Sequence, residues 1–306
     1  MRILVVGAGA TGGFFGARLA AAGRDVTFLV RLRRAALLRE RGLRLVGLGE
    51  PAVLTPQLVT ADTLTTSYDL VLLSVKATAL DEAVKDLTPA VGPDTAIVPF
   101  LNGLAHLDVL TSTFGAERVL GGVVKVATTV DQNGDIRRLG RTAAVEIGEL
   151  SGRPSARLDA AAELLSGAEF TFSVVRDVIA AMWHKWVHVS SVGALTCLMR
   201  GTVGDVVAVP GGPDLARAIV AEAAAVSSAA GHPVPAAALN FIVDRVTEAG
   251  SATTSSMYRD VVAGVPAEVE QVFGDLIARA RDLSVATPLL DLATLNLRVH
   301  QHRVTG

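Results

Sequence analysis

The sequence predicts an α/β protein in two parts: an N-terminal domain, residues 1–172, around a parallel β-sheet, and an all-α C-terminal domain, residues 173–306. Three observations carry the prediction. Short apolar runs alternate with helix-like segments through the first half, the pattern of a parallel sheet with right-handed crossovers. The first run ends in a glycine-rich turn that opens a helix. Beyond Phe172 the texture changes to long Ala/Val/Leu stretches with helical spacing.

The elements follow in order. Arg2–Val6 is a short apolar run that suits a buried parallel strand. Residues 11–22, rich in Ala, Gly and Leu, read as a helix capped by Gly23. Residues 25–30 form the second strand, and residues 34–41 a helix stopped by Gly42. Strands over residues 70–75 and 96–100 flank a helix over Leu80–Leu87. Residues 119–129 and 143–147 read as further strands, with a turn at Asn133-Gly134 between them. In the second domain helices are expected over Val178–Met199 and over residues 214–230, 236–249, 266–282 and 288–302, punctuated by Gly231, Gly250 and Pro266.

Composition bounds the function. At roughly 100–200 residues per domain, a chain of 306 residues suits two domains. Half of it is hydrophobic (50%) and only 19% is charged, so it can bury a large core and is not disordered. A net charge of −2 supplies no basic field for nucleic acid or an anionic membrane surface. The single cysteine, Cys197, rules out an intramolecular disulfide framework and suits a reducing cytoplasm. Met1-Arg2 and the apolar run behind them imitate a secretory signal, but the run stops at Gly7 and Arg18 interrupts the next apolar stretch. No stretch reaches the roughly 18–20 uninterrupted apolar residues of a membrane span. A cytoplasmic protein is expected.

Gly7-Ala8-Gly9-Ala10-Thr11-Gly12 matches G-x-G-x-x-G directly after a strand and at the start of a helix, as a Rossmann-type dinucleotide site requires. Gly7 makes the tight turn, Gly9 lets the backbone approach a pyrophosphate, and Gly12 lets helix and sheet lie close. The helix start at Ala10 and Thr11 offers N–H groups to the phosphates. An NAD site places Asp or Glu at the end of the second strand. Here Arg31 stands there, with Arg33 and Arg34 behind it, and an arginine suits the 2′-phosphate of NADPH. The plain alternative is a solvated helix start. Lys76 and Asn102-Gly103 each follow a strand at the carboxyl edge of the sheet, where ligands bind, although turn residues also occur there.

Lys185 is the only formal charge between Asp177 and Arg200. Helical spacing puts it on one face with Val178, Met182, Val189 and Val192. Either its ammonium snorkels to water, or it points into a cleft and donates a proton there. Glu268 follows Gly264-Val265-Pro266, which places it in the first turn of a helix. It can answer the lysine, or merely complement the helix dipole.

These pieces, in their order and spacing, resemble the ketopantoate reductase (2-dehydropantoate 2-reductase) family over nearly the whole chain. The resemblance is carried by the glycine-rich turn, Arg31, Ser74-Val75-Lys76-Ala77, Asn102-Gly103, Trp183-His184-Lys185-Trp186, Leu195-Thr196, Ser255-Ser256-Met257, and Glu268 with Gly274. It implies that NADPH gives hydride to the C2 ketone of a small 2-oxo acid. Lys185 is then the general acid that protonates and stabilises the forming alkoxide, and Glu268 holds Lys185 and a substrate hydroxyl. By the same match Ser256 holds the substrate carboxylate, Asn102 touches substrate and nicotinamide ribose, and Lys76 contacts the cofactor. Relatives are often dimeric, so a homodimer is implied, and pantothenate biosynthesis follows if ketopantoate is the substrate.

The chain departs from the family pattern at several polar positions. Val189 and Gly193 stand where asparagines are usual on the lysine helix, and Thr253 and Phe273 replace two more. Lys125 also differs from the common pattern. Losing hydrogen-bonding groups changes which substrate fits. A less polar 2-oxo acid or ketone is therefore an alternative, as are an imine and a non-catalytic NADPH sensor, although a sensor has no use for Lys185, Ser256 and Glu268 together.

Overall fold

A computed structural model describes all 306 residues. The chain forms two compact units, residues 1–101 with 106–178, and residues 102–105 with 179–306. In the first, β1 (Arg2–Val6) leads through α1 (Ala10–Ala21) to β2 (Asp25–Leu29) and α2 (Leu32–Arg41). Three short strands come next, β3 (Leu43–Gly47), β4 (Ala52–Leu54) and β5 (Gln57–Val59), then β6 (Tyr68–Leu73), α3 (Leu80–Leu87) and β7 (Val91–Pro99). After them stand α4 (Ala105–Phe114), a long pair of strands, β8 (Leu120–Val130) and β9 (Ile136–Glu149), then α5 (Ala156–Leu165) and β10 (Thr171–Val174).

The strands build two sheets. One is parallel, in the order β5-β2-β1-β6-β7. The other has the order β10-β9-β3-β4, with β8 antiparallel to β9. The expected strands at 119–129 and 143–147 thus belong to the second sheet. One core serves both: Ile3, Val5 and Leu72 from the parallel sheet, Leu120, Val145 and Ile147 from the other, with Phe14 and Phe15 of α1 among them. Phe15 meets Phe100 and Phe170 edge-on, at centroid distances of 5.6 and 5.0 Å.

Chain reversal around β1 makes the carboxyl ends of β1 and β6 the topological switch point. β1 has the expected bounds, while β6 ends sooner than the apolar pattern suggests. β6 stops at Leu73, and Ser74 gives only its N–H to the Val6 carbonyl, at 2.9 Å, before the chain turns away. The helix expected over 34–41 begins at Leu32, with Arg31 as its cap.

In the second unit the helices are α6 (Val178–Met199), α7 (Val203–Val207), α8 (Gly212–Ala229), α9 (Ala236–Val246), α10 (Ser256–Val262), α11 (Asp275–Asp282) and α12 (Pro288–Thr305). Its core gathers Ile219, Val220 and Ala223 from α8, Leu276 and Ala280 from α11, and Leu290, Ala293 and Leu297 from α12. Glu222 of α8 accepts the N–H groups of Leu289 and Leu290 at 3.0 Å, so a carboxylate from a neighbouring helix caps α12.

The helix expected over 266–282 is corrected in two ways. Residues 265–268 are not helical: Ala267 gives its N–H to the Gln301 side chain at 3.1 Å, and the Val265 carbonyl meets His300 at 3.0 Å. These bonds to α12 replace the first helical turn. Glu268 therefore sits just ahead of the helix, its carbonyl accepting the Val272 N–H at 3.1 Å. A π-helical turn, Glu270–Gly274, then precedes α11, closed by the Asp275 N–H on the Glu270 carbonyl.

Candidate active site

The glycine-rich turn lies at the switch point of the parallel sheet. Gly7 has a φ of +95°, and a Cβ there would stand 2.6 Å from the Ser74 carbonyl oxygen. At Gly12 it would stand 2.3 Å from the Gly7 carbonyl oxygen. Both glycines are demanded by the protein's own packing. Gly9 is different: a Cβ there would meet nothing within 4 Å. Gly9 caps α1 without a side-chain hydrogen bond, and the first turn, from Ala10 and Thr11, carries no acid. The cap of a 12-residue helix thus carries no side chain and leaves the space beside it free. That arrangement fits a dinucleotide pyrophosphate, which needs the room a side chain at Gly9 would take.

Arg31 is exposed at the end of β2, and its guanidinium pairs with Glu82 of α3. No acid near Arg31 is evident from the sequence, because Glu82 lies 51 residues along the chain. Both partners are well exposed, at 68% and 59%, so the pair is weak. Arg34 turns the other way. Its Nε donates to the Ala8 carbonyl at 3.1 Å and its Nη1 to the Gly134 carbonyl at 2.8 Å, so it braces the glycine-rich turn against the β8–β9 turn. Burial pulls its pKa below the ordinary arginine value, against the opposing charge of Asp135. Lys76 is exposed just beyond β6, at the same sheet edge.

The remaining candidates, Asn102, Lys185, Ser256 and Glu268, belong to the second unit. Lys185 sits in mid-α6, half-buried, flanked in the sequence by the buried Trp183 and Trp186. Of the residues expected on its face, Val178, Met182 and Val192 are buried and Val189 partly so. Ser256 is exposed at the first position of α10, while its neighbour Ser255 caps that helix, accepting the Tyr258 N–H at 2.9 Å.

Two of these segments, that of Asn102 and that of Lys185, meet at the π-helical turn that follows Glu268. Gln271 donates its side-chain amide to the Asn102 carbonyl at 3.0 Å. Gly103, with φ +74°, packs so closely that a Cβ would lie 2.7 Å from the Gln271 carbonyl oxygen. Trp186, next to Lys185, gives its indole N–H to the Val272 carbonyl at 2.8 Å. Gln271 and Trp186 escape sequence reasoning as supports, because neither forms a motif and Gln271 meets Asn102 across 169 residues.

The departures from the family pattern also have places. A Cβ on Gly193 would stand 2.7 Å from Met257 Cε and 3.1 Å from Phe273 Cζ. Phe273 and Met257 are buried and fill that space. The Thr253 side chain is held locally, its Oγ1 accepting from the Ser251 hydroxyl at 3.0 Å. Lys125 is exposed and pairs with Glu146 across the β8–β9 ladder. No helix is long and apolar enough to cross a membrane.

Comparison with known proteins places the whole chain in one group. Residues 3–152 match the model described as ketopantoate reductase PanE/ApbA, and residues 177–301 match its C-terminal counterpart. The chain is 31% identical over 301 residues to the uncharacterized oxidoreductase YkpB of Bacillus subtilis, covering 98% of this chain and 99% of that one. A crystal structure of 2-dehydropantoate 2-reductase from Geobacter metallireducens superposes with a TM-score of 0.89 at 27% identity, over 98% of this chain and 99% of that one. D-mandelate dehydrogenase, solved with NADH and anilino(oxo)acetate, superposes with a TM-score of 0.90 over all of both chains. At 20% identity that likeness is one of fold.

Proposed function

The chain belongs to the ketopantoate reductase family and is an oxidoreductase, and from that premise we propose that it uses NADPH to reduce the C2 ketone of a small 2-oxo acid. The observation that carries the reading is Lys185, the one formal charge of a 22-residue helix and half-buried there. A cation held there is worth more to a developing alkoxide than one in water.

NADPH supplies the hydride when bound. The turn from Gly7 to Gly12 and the start of α1 hold its pyrophosphate, and Lys76 adds a cationic contact at the same edge. Arg31 leaves its weak pair with Glu82 for the 2′-phosphate. Ser256 binds the substrate carboxylate and Asn102 orients the ketone. Lys185 gives an Nζ proton to the ketone oxygen as negative charge grows on it, and Glu268 orients the ammonium.

The filled space at Gly193 favours a substrate less hydroxylated than ketopantoate. No polar side chain can enter there without moving Phe273 or Met257. A pocket short of hydrogen-bonding groups gains little from substrate hydroxyls.

The test is Lys185→Ala. Its kcat should fall about 10²–10⁴-fold, the usual contribution of a general acid, while NADPH binds as before. A kcat near that of the wild type contradicts the assignment.

A further inference from the structure

We propose that Gln271 is a positioning residue: from the π-helical turn it fixes Asn102 with respect to Lys185, within the second unit. The inference rests on the proposed roles of those two residues in ketone reduction.

The turn Glu270–Gly274 is held on two sides. On one, Gln271 spans to the segment of residues 102–105 with its side-chain amide on the Asn102 carbonyl, at 3.0 Å. Gly103 lies against the Gln271 carbonyl, and a Cβ at Gly103 would also stand 3.7 Å from Trp186 Cε2. On the other side, the Trp186 indole N–H binds the Val272 carbonyl at 2.8 Å. Arg279 of α11 lies over the same indole, 5.8 Å from its centroid, and is itself held by Asp275 at 2.9 Å.

Consecutive residues of one turn thus take hold of the Asn102 segment and of the residue beside Lys185. A π-helical turn widens the helix by one residue, and such turns recur at functional sites. Trp186 is 1% exposed, with little freedom to shift. The side chain of Gln271 is the adjustable part of the clamp. Losing its hydrogen bond frees the left-handed turn at Gly103, and misplacement of a substrate-orienting group lowers rate sharply.

The experiment compares the wild type, Gln271→Met and Gln271→Glu, each alone and combined with Asn102→Ala. Met keeps the length without the donor, and Glu keeps the shape but sets a carboxylate against the Asn102 carbonyl. Each single variant should lose roughly five- to tenfold in kcat/KM for the 2-oxo acid, the worth of one hydrogen bond. In the Asn102→Ala background the same substitution should add less than about twofold, since Gln271 acts through Asn102. Hydrogen exchange across residues 101–105 should quicken about fivefold or more in both variants. Losses that multiply fully with that of Asn102→Ala, or unchanged kinetics, overturn the proposal. If the wild type reduces no 2-oxo acid, the functional reading fails by itself. The exchange rates then decide the clamp, and unchanged exchange overturns it.

Discussion

At the scale of single residues, the division is between side chains committed to the fold and side chains left for a ligand. Gly7 and Gly12 are committed, since a methyl at either meets backbone oxygen. Arg34 is committed too, to two backbone carbonyls. Arg31 is not, because the carboxylate it pairs with is itself solvent-exposed. Arg31→Ala should therefore raise the KM for NADPH about tenfold or more, in line with the loss of a charge-assisted contact. It should leave the KM for NADH within about twofold, because NADH lacks the 2′-phosphate. Parallel initial-rate measurements with the two cofactors check this, and equal losses for both would remove Arg31 from 2′-phosphate recognition.

Gly9 supplies the complementary case. Gly9→Ala should fold with a stability change of no more than about 1 kcal/mol, the scale of a helix-cap substitution, because the added methyl touches nothing in the protein. Its NADPH dissociation constant should rise at least about tenfold, since the methyl enters the space assigned to pyrophosphate. Thermal melting together with a cofactor titration separates the two effects. Unchanged affinity would mean that the space at Gly9 serves another purpose.

At the scale of elements, legibility follows hydrophobic pattern and fails where long-range bonds decide the local structure. β1, β2, β6 and β7 are apolar runs and are visible as such, as are α3 and α6. β4 and β5 are three residues each, too short for any periodicity, and β3 mixes Arg44 among its apolar residues. α5 carries a readable cap, Ser155 ahead of the run to Leu165, that apolar pattern alone does not bring out. The start of the helix after Pro266 is not readable, because Gln301 and His300 fix it from α12. Among the candidate site residues, the glycine-rich turn, Arg31 and Lys185 stand out by chemistry and spacing. The supports around Asn102 do not.

The junction of β9 with α5 makes a pH prediction. Glu149 is buried at the end of β9 and accepts from Arg157 Nε at 2.7 Å and from Ser155. The hydrogen bond from Arg157, above all, holds its carboxyl below the usual glutamate range, with Ser155 adding to it against the opposing effect of burial. Because the folded pKa is depressed, the unfolded chain takes up the proton first as pH falls. The stabilisation is complete above the ordinary value of about 4.3 and is lost as pH drops through the folded value. Glu149→Gln should cost about 1–3 kcal/mol at neutral pH. As pH falls below about 4.3 the difference in melting temperature between wild type and variant should begin to shrink, and it should vanish only below the folded value. A difference in melting temperature that stays constant with pH would show that ionisation of Glu149 does not carry the stabilisation.

At the scale of the whole molecule, a mean hydropathy of +0.45 is spent on two separate cores, one under the two sheets and one among the helices. The first unit carries the glycine-rich turn and the helix start proposed to hold a dinucleotide. The second carries the single helical lysine, with the acid and serine assigned to it, and takes in residues 102–105 from between two segments of the first. On the proposed reading the pyrophosphate and 2′-phosphate contacts fall to the first unit and proton donation to the second, so Lys185→Ala should spare NADPH binding. The most direct measurement is the initial rate of NADPH absorbance loss with ketopantoate, and then with less hydroxylated 2-oxo acids, near neutral pH. At least one should be reduced with a kcat/KM of about 10⁴ M⁻¹s⁻¹ or more, and the filled space at Gly193 favours one of the less polar. NADPH bound tightly and oxidised no faster with any 2-oxo acid present would contradict the assignment and leave an imine reductase or a cofactor sensor.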